Sequence, residues 1–223
     1  MSATRIDHLV IAAATLDDGV QWCERTLGVT PGPGGKHPNM GTHNRLLALA
    51  SPEFPQAYLE IIAIDPDAAA PARARWFGLD EPALREALQQ RPRLLHVVAR
   101  TLRTTNIDTL LAALTAAGIG AGSPVATERT TAHGVLRWRI AGRPDGRLLF
   151  GGALPTLIEW GDEHPTDRMA ASALALRSVT LGGLPATVAQ ALDLATVKLS
   201  PQPPALSVTL DTPLGAVTLR SDD

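Results

Sequence analysis

Residues 5–11 read Arg-Ile-Asp-His-Leu-Val-Ile, and residues 93–99 read Arg-Leu-Leu-His-Val-Val-Ala. Each is an apolar run with one histidine inside it, His8 and His96. The residues after each run match as well. Thr15-Leu-Asp-Asp18 and Thr105-Asn-Ile-Asp108 carry the hydroxyl-x-x-acid pattern that opens a helix. Gly28 and Gly118 lie thirteen residues beyond those threonines, where glycine supplies the left-handed residue past a helix end. Between these marks, Leu16, Val20, Cys23 and Leu27 fall on one helical face, and so do Ile107, Leu110, Leu111 and Leu114.

Three strand candidates come after each helix. The first set is a weak one at 29–41, then 44–50 and 57–64; the second is 125–130, 135–141 and 156–160. The spacing therefore predicts an α+β fold of paired βαβββ modules, each sheet curved into half of an open cup. The modules span 1–66 and 93–165. Residues 67–92 join them, rich in Ala, Pro and Arg, with a short helix expected over 81–90. A third, degenerate βαβββ-like module is expected over 173–221. It has strand candidates at 178–181, 196–199, 206–210 and 216–220, and a helix at 185–194 with proline in its first turn.

Bulk properties remove several function classes. The chain has 223 residues, 45% of them hydrophobic, and a formal net charge of −2. No Lys/Arg stripe marks a nucleic-acid surface. No apolar run reaches the ~18 residues of a membrane span. Cys23 is the single cysteine and falls on an apolar helical face, so its expected place is the core. The N-terminus lacks the apolar stretch of a signal peptide. The expectation is a cytoplasmic protein with a small-molecule substrate or ligand and no nucleic-acid or membrane partner. It can act as monomer or homodimer, since both complete modules lie in one chain.

Two further strands repeat the polar oddity. Tyr-Leu-Glu-Ile-Ile-Ala-Ile (58–64) contains Glu60, and Thr-Leu-Ile-Glu-Trp (156–160) contains Glu159. Burying an unpaired carboxylate costs several kcal/mol. Taken singly, each histidine reads as a satisfied core residue and each glutamate as one paired with arginine. Taken together, two imidazoles and two carboxylates in the first and last strands of two modules point to a divalent-metal site at the cup's centre. The rival reading is a cavity that binds a polar ligand without metal.

These features resemble the vicinal oxygen chelate superfamily. The stretch Gly-Lys-His-Pro-Asn-Met-Gly-Thr-His-Asn-Arg-Leu (35–46), with Tyr-Leu-Glu-Ile-Ile-Ala, Leu-Arg-Trp-Arg (136–139) and Leu-Ile-Glu-Trp-Gly-Asp (157–162), is similar to glyoxalase-like domains of the glyoxalase 3 type. The resemblance implies His8, Glu60, His96 and Glu159 as metal ligands, holding Zn, Ni, Mn, Fe or Co. It implies Glu60 or Glu159 as the catalytic base of a metal-dependent lyase or isomerase that chelates a small oxygenated substrate through two oxygens. Two alternatives stand beside it. One is a ferrous extradiol-type dioxygenase using His8, His96 and Glu159. The other is a non-enzymatic binder of bleomycin-resistance type.

Further substrate-binding candidates are His37, His43 and Asn44 in the 35–46 loop, and Arg137 and Trp138. Alternation puts Arg137 and Arg139 on one face and Trp138 on the other. Either side facing the cup has a use: arginines as a fork for an anion, tryptophan as a wall. His164 is expected in an exposed loop after the last strand, and His133 in a hairpin turn. Pro-Gly-Pro-Gly-Gly (31–35) precedes no helix and reads as no nucleotide fingerprint.

Overall fold

The computed structural model describes residues 3–131 and 134–223; His133 lies outside them. The first module runs β1 (Thr4–Ala12), α1 (Leu16–Leu27), β2 (Lys36–His37), β3 (Thr42–Ala48) and β4 (Tyr58–Ile64). The Thr15 hydroxyl accepts from the Asp18 amide, and Gly28 closes α1 at φ 72°. The joining segment contains α2 (Pro82–Gln90). The second module runs β5 (Arg93–Thr101), α3 (Ile107–Ala116), β6 (Ser123–Thr131), β7 (Gly134–Gly142) and β8 (Thr156–Trp160). Here Asn106, not Thr105, caps the helix: its side chain accepts from the Thr109 amide. Asn is as good a cap as Thr, and the backbone turns one residue later.

One eight-stranded sheet results, in the order β2-β3-β4-β1-β5-β8-β7-β6. Within each module the first strand pairs parallel with the last, β1 with β4 and β5 with β8. The modules join through β1 and β5, which pair antiparallel. That seam carries two register shifts. Asp7 is the extra residue on β1 and Leu95 the extra residue on β5. Such bulges bend a strand and re-aim side chains.

Alternation then separates two apolar clusters. Leu9, Ile11, Leu59, Ile61, Val97 and Ala99 share a core with Cys23 and Leu27 of α1 and Leu110 and Leu114 of α3. Val10, Ile62, Val98, Trp138, Ile140 and Ile158 line the opposite face. The sheet curls about that second face until β2 and β6, at its two ends, border the same recess through His37 and Arg129. Burial raises the Cys23 thiol to about 12, as a core residue requires.

The C-terminal module comprises β9 (Ala175–Gly182), α4 (Ala186–Leu192), β10 (Val197–Ser200), β11 (Leu206–Thr212) and β12 (Gly215–Arg220). Its element order is again βαβββ, but its strand order is β10-β9-β11-β12. The first strand pairs with the second and third, where β1 pairs with the fourth. Leu176, Val179, Val208 and Leu210 join the core behind the cup, and the Leu176 amide donates to the Leu49 carbonyl at 2.9 Å. No described helix is long and apolar enough to cross a membrane.

Candidate functional site

The recess inside the cup is bordered by His8, His37, Asn44, Tyr58, Glu60, Arg129, Trp138 and Trp160, among others. His8 reaches it because of the bulge beside it. The extra residue, Asp7, is fully buried, and the His8 Nδ1–H donates to its Oδ1 at 2.6 Å. Trp160 Nε1–H and His164 Nε2–H donate to the other oxygen at 3.0 and 2.9 Å, and Arg100 Nη1 stands 3.7 Å away. Burial alone would raise the Asp7 pKa. The hydrogen bonds from His164 and His8, and the charges behind them, outweigh it and hold the carboxyl well below the usual range. Asp7 is thus a fixed anion that orients the His8 ring and leaves Nε2 facing the recess. Tyr58 stacks on that ring at 4.6 Å.

Glu60 comes from the neighbouring strand. Its Oε2 lies 3.6 Å from His8 Nε2. Its Oε1 accepts from Asn44 Nδ2 at 2.6 Å. The Asn44 amide cannot flip freely, because the Gly35 N–H donates to its Oδ1 at 2.8 Å. The Pro-Gly-Pro-Gly-Gly loop therefore has a function in the site: a Cβ on Gly34 would collide with the Asn44 carbonyl and side chain. His37 completes this side, bonded to the Thr42 hydroxyl at 3.0 Å and 3.4 Å from Asn44 Nδ2. Burial presses its pKa down to about 4, so the ring is neutral near pH 7.

The second module does not repeat this pair. His8 pairs with Val98 across the seam, and Val10 pairs with His96. Exchanging the strands exchanges the pairs, so His8 and His96 are equivalent, as are Val10 and Val98. Val10 pairs with Glu60 on β4, and Val98 pairs with Thr156 on β8. The counterpart of Glu60 is therefore Thr156. Glu159 lies three residues further along, on the helix-facing side. There its Oε2 accepts from the Ile107 amide at 2.8 Å and its Oε1 from Arg139 Nη1 at 3.0 Å. It holds the start of α3. His96 has both ring nitrogens engaged. Nδ1–H donates to the Gly152 carbonyl at 3.1 Å, and Nε2 accepts from the Thr156 hydroxyl at 2.9 Å and amide at 3.2 Å. Burial lowers its pKa to about 3.

The four-donor metal site is accordingly not assembled. His8 and Glu60 meet, His96 is spent on its own neighbours, and Glu159 is on the wrong face. Among the described residues no three His, Cys, Asp or Glu side chains converge closely enough to hold a metal ion. The donor set fits neither the four-ligand nor the three-ligand arrangement.

The other candidates divide the same way. Asn44, His37 and Trp138 border the recess. His43 does not: alternation on β3 turns it away from Asn44, toward Asp65 at 4.0 Å. Arg137 faces outward, paired with Glu128 at 3.1 Å. His164, expected to be exposed, is buried by its bond to Asp7. Sequence reasoning missed Asp7 and Arg129, and it preferred an exposed loop to the rim for His164. A signal for Asp7 was present, since Asp7 stands where the otherwise matching run has Leu95.

A second cavity, a chamber, lies beside the recess. His37, Trp76, Phe77, Trp138 and Ile140 form the shared wall. Leu148, Leu149 and Leu154 line the chamber's far side.

A family model described as a glyoxalase-like domain matches residues 6–196. Among solved structures, a hypothetical protein from Staphylococcus aureus is similar over 97% of this chain and 85% of its own, at 15% identity and TM-score 0.57. The methylmalonyl-CoA epimerase of Mycobacterium tuberculosis aligns over 70% of this chain and 85% of its own, at 20% identity and TM-score 0.39. The Streptomyces coelicolor methylmalonyl-CoA epimerase aligns over 71% and 94%, at 18% identity and TM-score 0.41. No curated protein matches.

Proposed function

Because the chain belongs to the glyoxalase-like domain family, we propose that it is an isomerase or lyase that moves a proton on a carbon beside a carbonyl group. The observation that carries this reading is the buried Glu60 carboxylate at the wall of the recess. Asn44 holds one oxygen, and the other stands 3.6 Å from His8 Nε2 in an apolar cup. A carboxylate in that position takes the proton from the substrate carbon, and the electron pair moves to the carbonyl oxygen. His8, held by Asp7 through Nδ1–H, stands beside the same point, and a second proton, on Nε2, would let it donate a hydrogen bond to that oxygen. The proton on Glu60 then returns to carbon, or a β-substituent leaves. No step is routed through a metal ion, because the donors do not form a site for one.

The test is deuterium uptake. Pools of small 2-oxo acids, hydroxyketones and thioesters are incubated with the protein in D₂O and read by mass spectrometry. One class gains a single deuteron, and Glu60→Gln slows that gain by about 10²-fold or more. Uptake undiminished in Glu60→Gln would remove Glu60 as the base. The aromatic-walled chamber favours a second reading, capture of a small molecule without reaction. Saturable binding with no uptake in any class would select it.

A further inference from the structure

We propose that Arg129 is the anchor for an anionic head group, so that the ligand of this cup is an amphiphilic carboxylate. Its carboxylate would rest on the guanidinium and its apolar tail in the chamber behind Trp76 and Phe77. The reaction at such a ligand rests on the preceding proposal; the binding does not.

Three observations place the anchor. Arg129 lies on β6, half-buried, and borders the same recess as His8 and Glu60. Its guanidinium lies against Gly35, where a Cβ would displace it. The charge reaches the pocket, since it helps lower the His37 pKa and opposes the rise of the Tyr58 pKa.

The second observation is the lack of a partner. The other cations near the cavities are committed: Lys36 to Asp65, Arg75 to Asp80, Arg139 to Asp108 and Glu159, Arg143 to Asp145, Arg147 to Glu81. Arg73 donates to the Arg143 carbonyl. Among the described residues Arg129 makes no hydrogen bond and no ion pair. A guanidinium presents a fork of donors that matches a carboxylate, and a half-desolvated one without a counter-ion gains most from meeting it.

The third observation is order along the cavity. Arg129 borders both the recess and an outer groove that also includes His164 and Pro165. Trp76 and Phe77 border both the recess and the apolar chamber. Glu60 borders the recess alone. The sequence is therefore cation, base, aromatic gate, apolar chamber. A carboxylate held at Arg129 places the neighbouring carbons at Glu60 and the rest of the chain beyond the gate. Trp76 Nε1–H is buried without a partner and can donate to a ligand oxygen there.

The experiment is isothermal titration of the whole protein with octanoate and with 1-octanol at pH 7.5. Octanoate is expected to bind the natural protein at least tenfold more tightly than the alcohol. Arg129→Met is expected to weaken octanoate by tenfold or more and leave the alcohol within about twofold, with an unchanged melting temperature. Arg129→Lys should recover part of the loss, a result that mere packing would not give. Equal affinity for acid and alcohol, no octanoate binding, or octanoate affinity unmoved in Arg129→Met would each overturn the assignment. Glu60→Gln separates the two proposals, since it should slow deuterium uptake by about 10²-fold or more and keep the preference for the acid. Acid preference without any Glu60-dependent uptake leaves the anchor standing and removes proton transfer. Glu60-dependent uptake by neutral compounds without acid preference does the reverse.

Discussion

His8 and His96 occupy equivalent positions on two strands that pair across the middle of one sheet, yet their surroundings differ at every contact. Behind His8 lies a buried carboxylate, Asp7; the equivalent residue behind His96 is Leu95. Beside His8 is Glu60; beside His96 is Thr156. The first ring is oriented with one nitrogen turned to the cavity, while the second is used up in tying β5 to β8 and to the Gly152 carbonyl. A duplicated scaffold here divides labour: one copy holds polar groups ready, the other closes the cup. Charge costs free energy to bury, so placing it in one half limits that cost to the residues the site uses.

The largest effect that separates the halves is kinetic. Once a deuterium-exchanging compound is in hand, His8→Gln and Glu60→Gln should each slow exchange by on the order of 10²–10⁴-fold. Thr156→Ala should leave the rate per folded molecule within a few-fold. Stopped-flow or quenched mass spectrometry reads all three. A Thr156→Ala loss as large as that of Glu60→Gln would mean that both halves carry chemistry.

The comparison can also be broken deliberately. Thr156→Glu places a carboxylate where the pseudo-twofold puts the mate of Glu60, beside a histidine whose Nε2 loses the Thr156 hydroxyl and keeps only the backbone amide. Two imidazoles and two carboxylates then hold equivalent register positions in the two halves, a donor set that suits a divalent ion. Cobalt affinity followed by visible absorption should rise by on the order of 10²-fold over the natural protein, of the size that supporting residues contribute at metal centres. No rise would show that the strand-register equivalence does not carry over to side-chain direction.

The same register explains how much of this was legible in the sequence. The repeat, the Thr15 cap of α1 and the curved paired modules were readable because each rests on local pattern: alternation, a capping hydroxyl, glycines past helix ends; the cap of α3 fell one residue later, on Asn106. His8, Glu60 and Asn44 were found because polar residues in apolar strands stand out. Glu159 was misplaced because matching by strand counts elements, whereas facing depends on single residues, and one step reverses a side chain. Thr156 bears no outward sign of being the counterpart of Glu60. The bulges at Asp7 and Leu95 were invisible because an extra residue is defined by the partner strand. Arg129 went unnoticed because the proposal for it rests on its having no partner among the described residues, which a sequence does not display.

Acid titration sharpens the contrast more gently. His37 and His96 are held neutral by burial, at about 4 and about 3. Both pKa values are below the ~6.5 of the unfolded chain, so unfolding binds protons. Stability is complete above that pH and falls as pH drops toward 4, by about 1.4 kcal/mol per pH unit for each group. His96→Gln should remove one group's share of that slope in urea melts, whatever it does to stability at pH 8. Asp7 is depressed in the other familiar sense, and its contribution is lost only below about pH 4. An unchanged slope in His96→Gln would mean that this ring already titrates freely in the fold.

The smallest expected effect is at Glu159. Its carboxylate accepts the first amide of α3 and pairs with Arg139, which also holds Asp108. A negative charge at a helix start contributes about 0.3–1 kcal/mol, and the ion pair little more because Arg139 is 37% exposed and screened by water. Glu159→Gln should therefore lower stability by about 1 kcal/mol, a fall of roughly 2–4 °C in melting temperature for a chain of this length. In 1 M salt, where screening acts over about 3 Å, much of that difference should vanish. Exchange at the cup should stay within twofold, because the sheet itself separates this carboxylate from the recess. The two glutamates are thus distinguished by which measurement moves: Glu60→Gln should change the rate and leave the salt dependence of melting alone, and Glu159→Gln should do the opposite. A rate loss at Glu159 rivalling that at Glu60 would put its side chain in the cup and restore the four-residue site that the strand register dismantles.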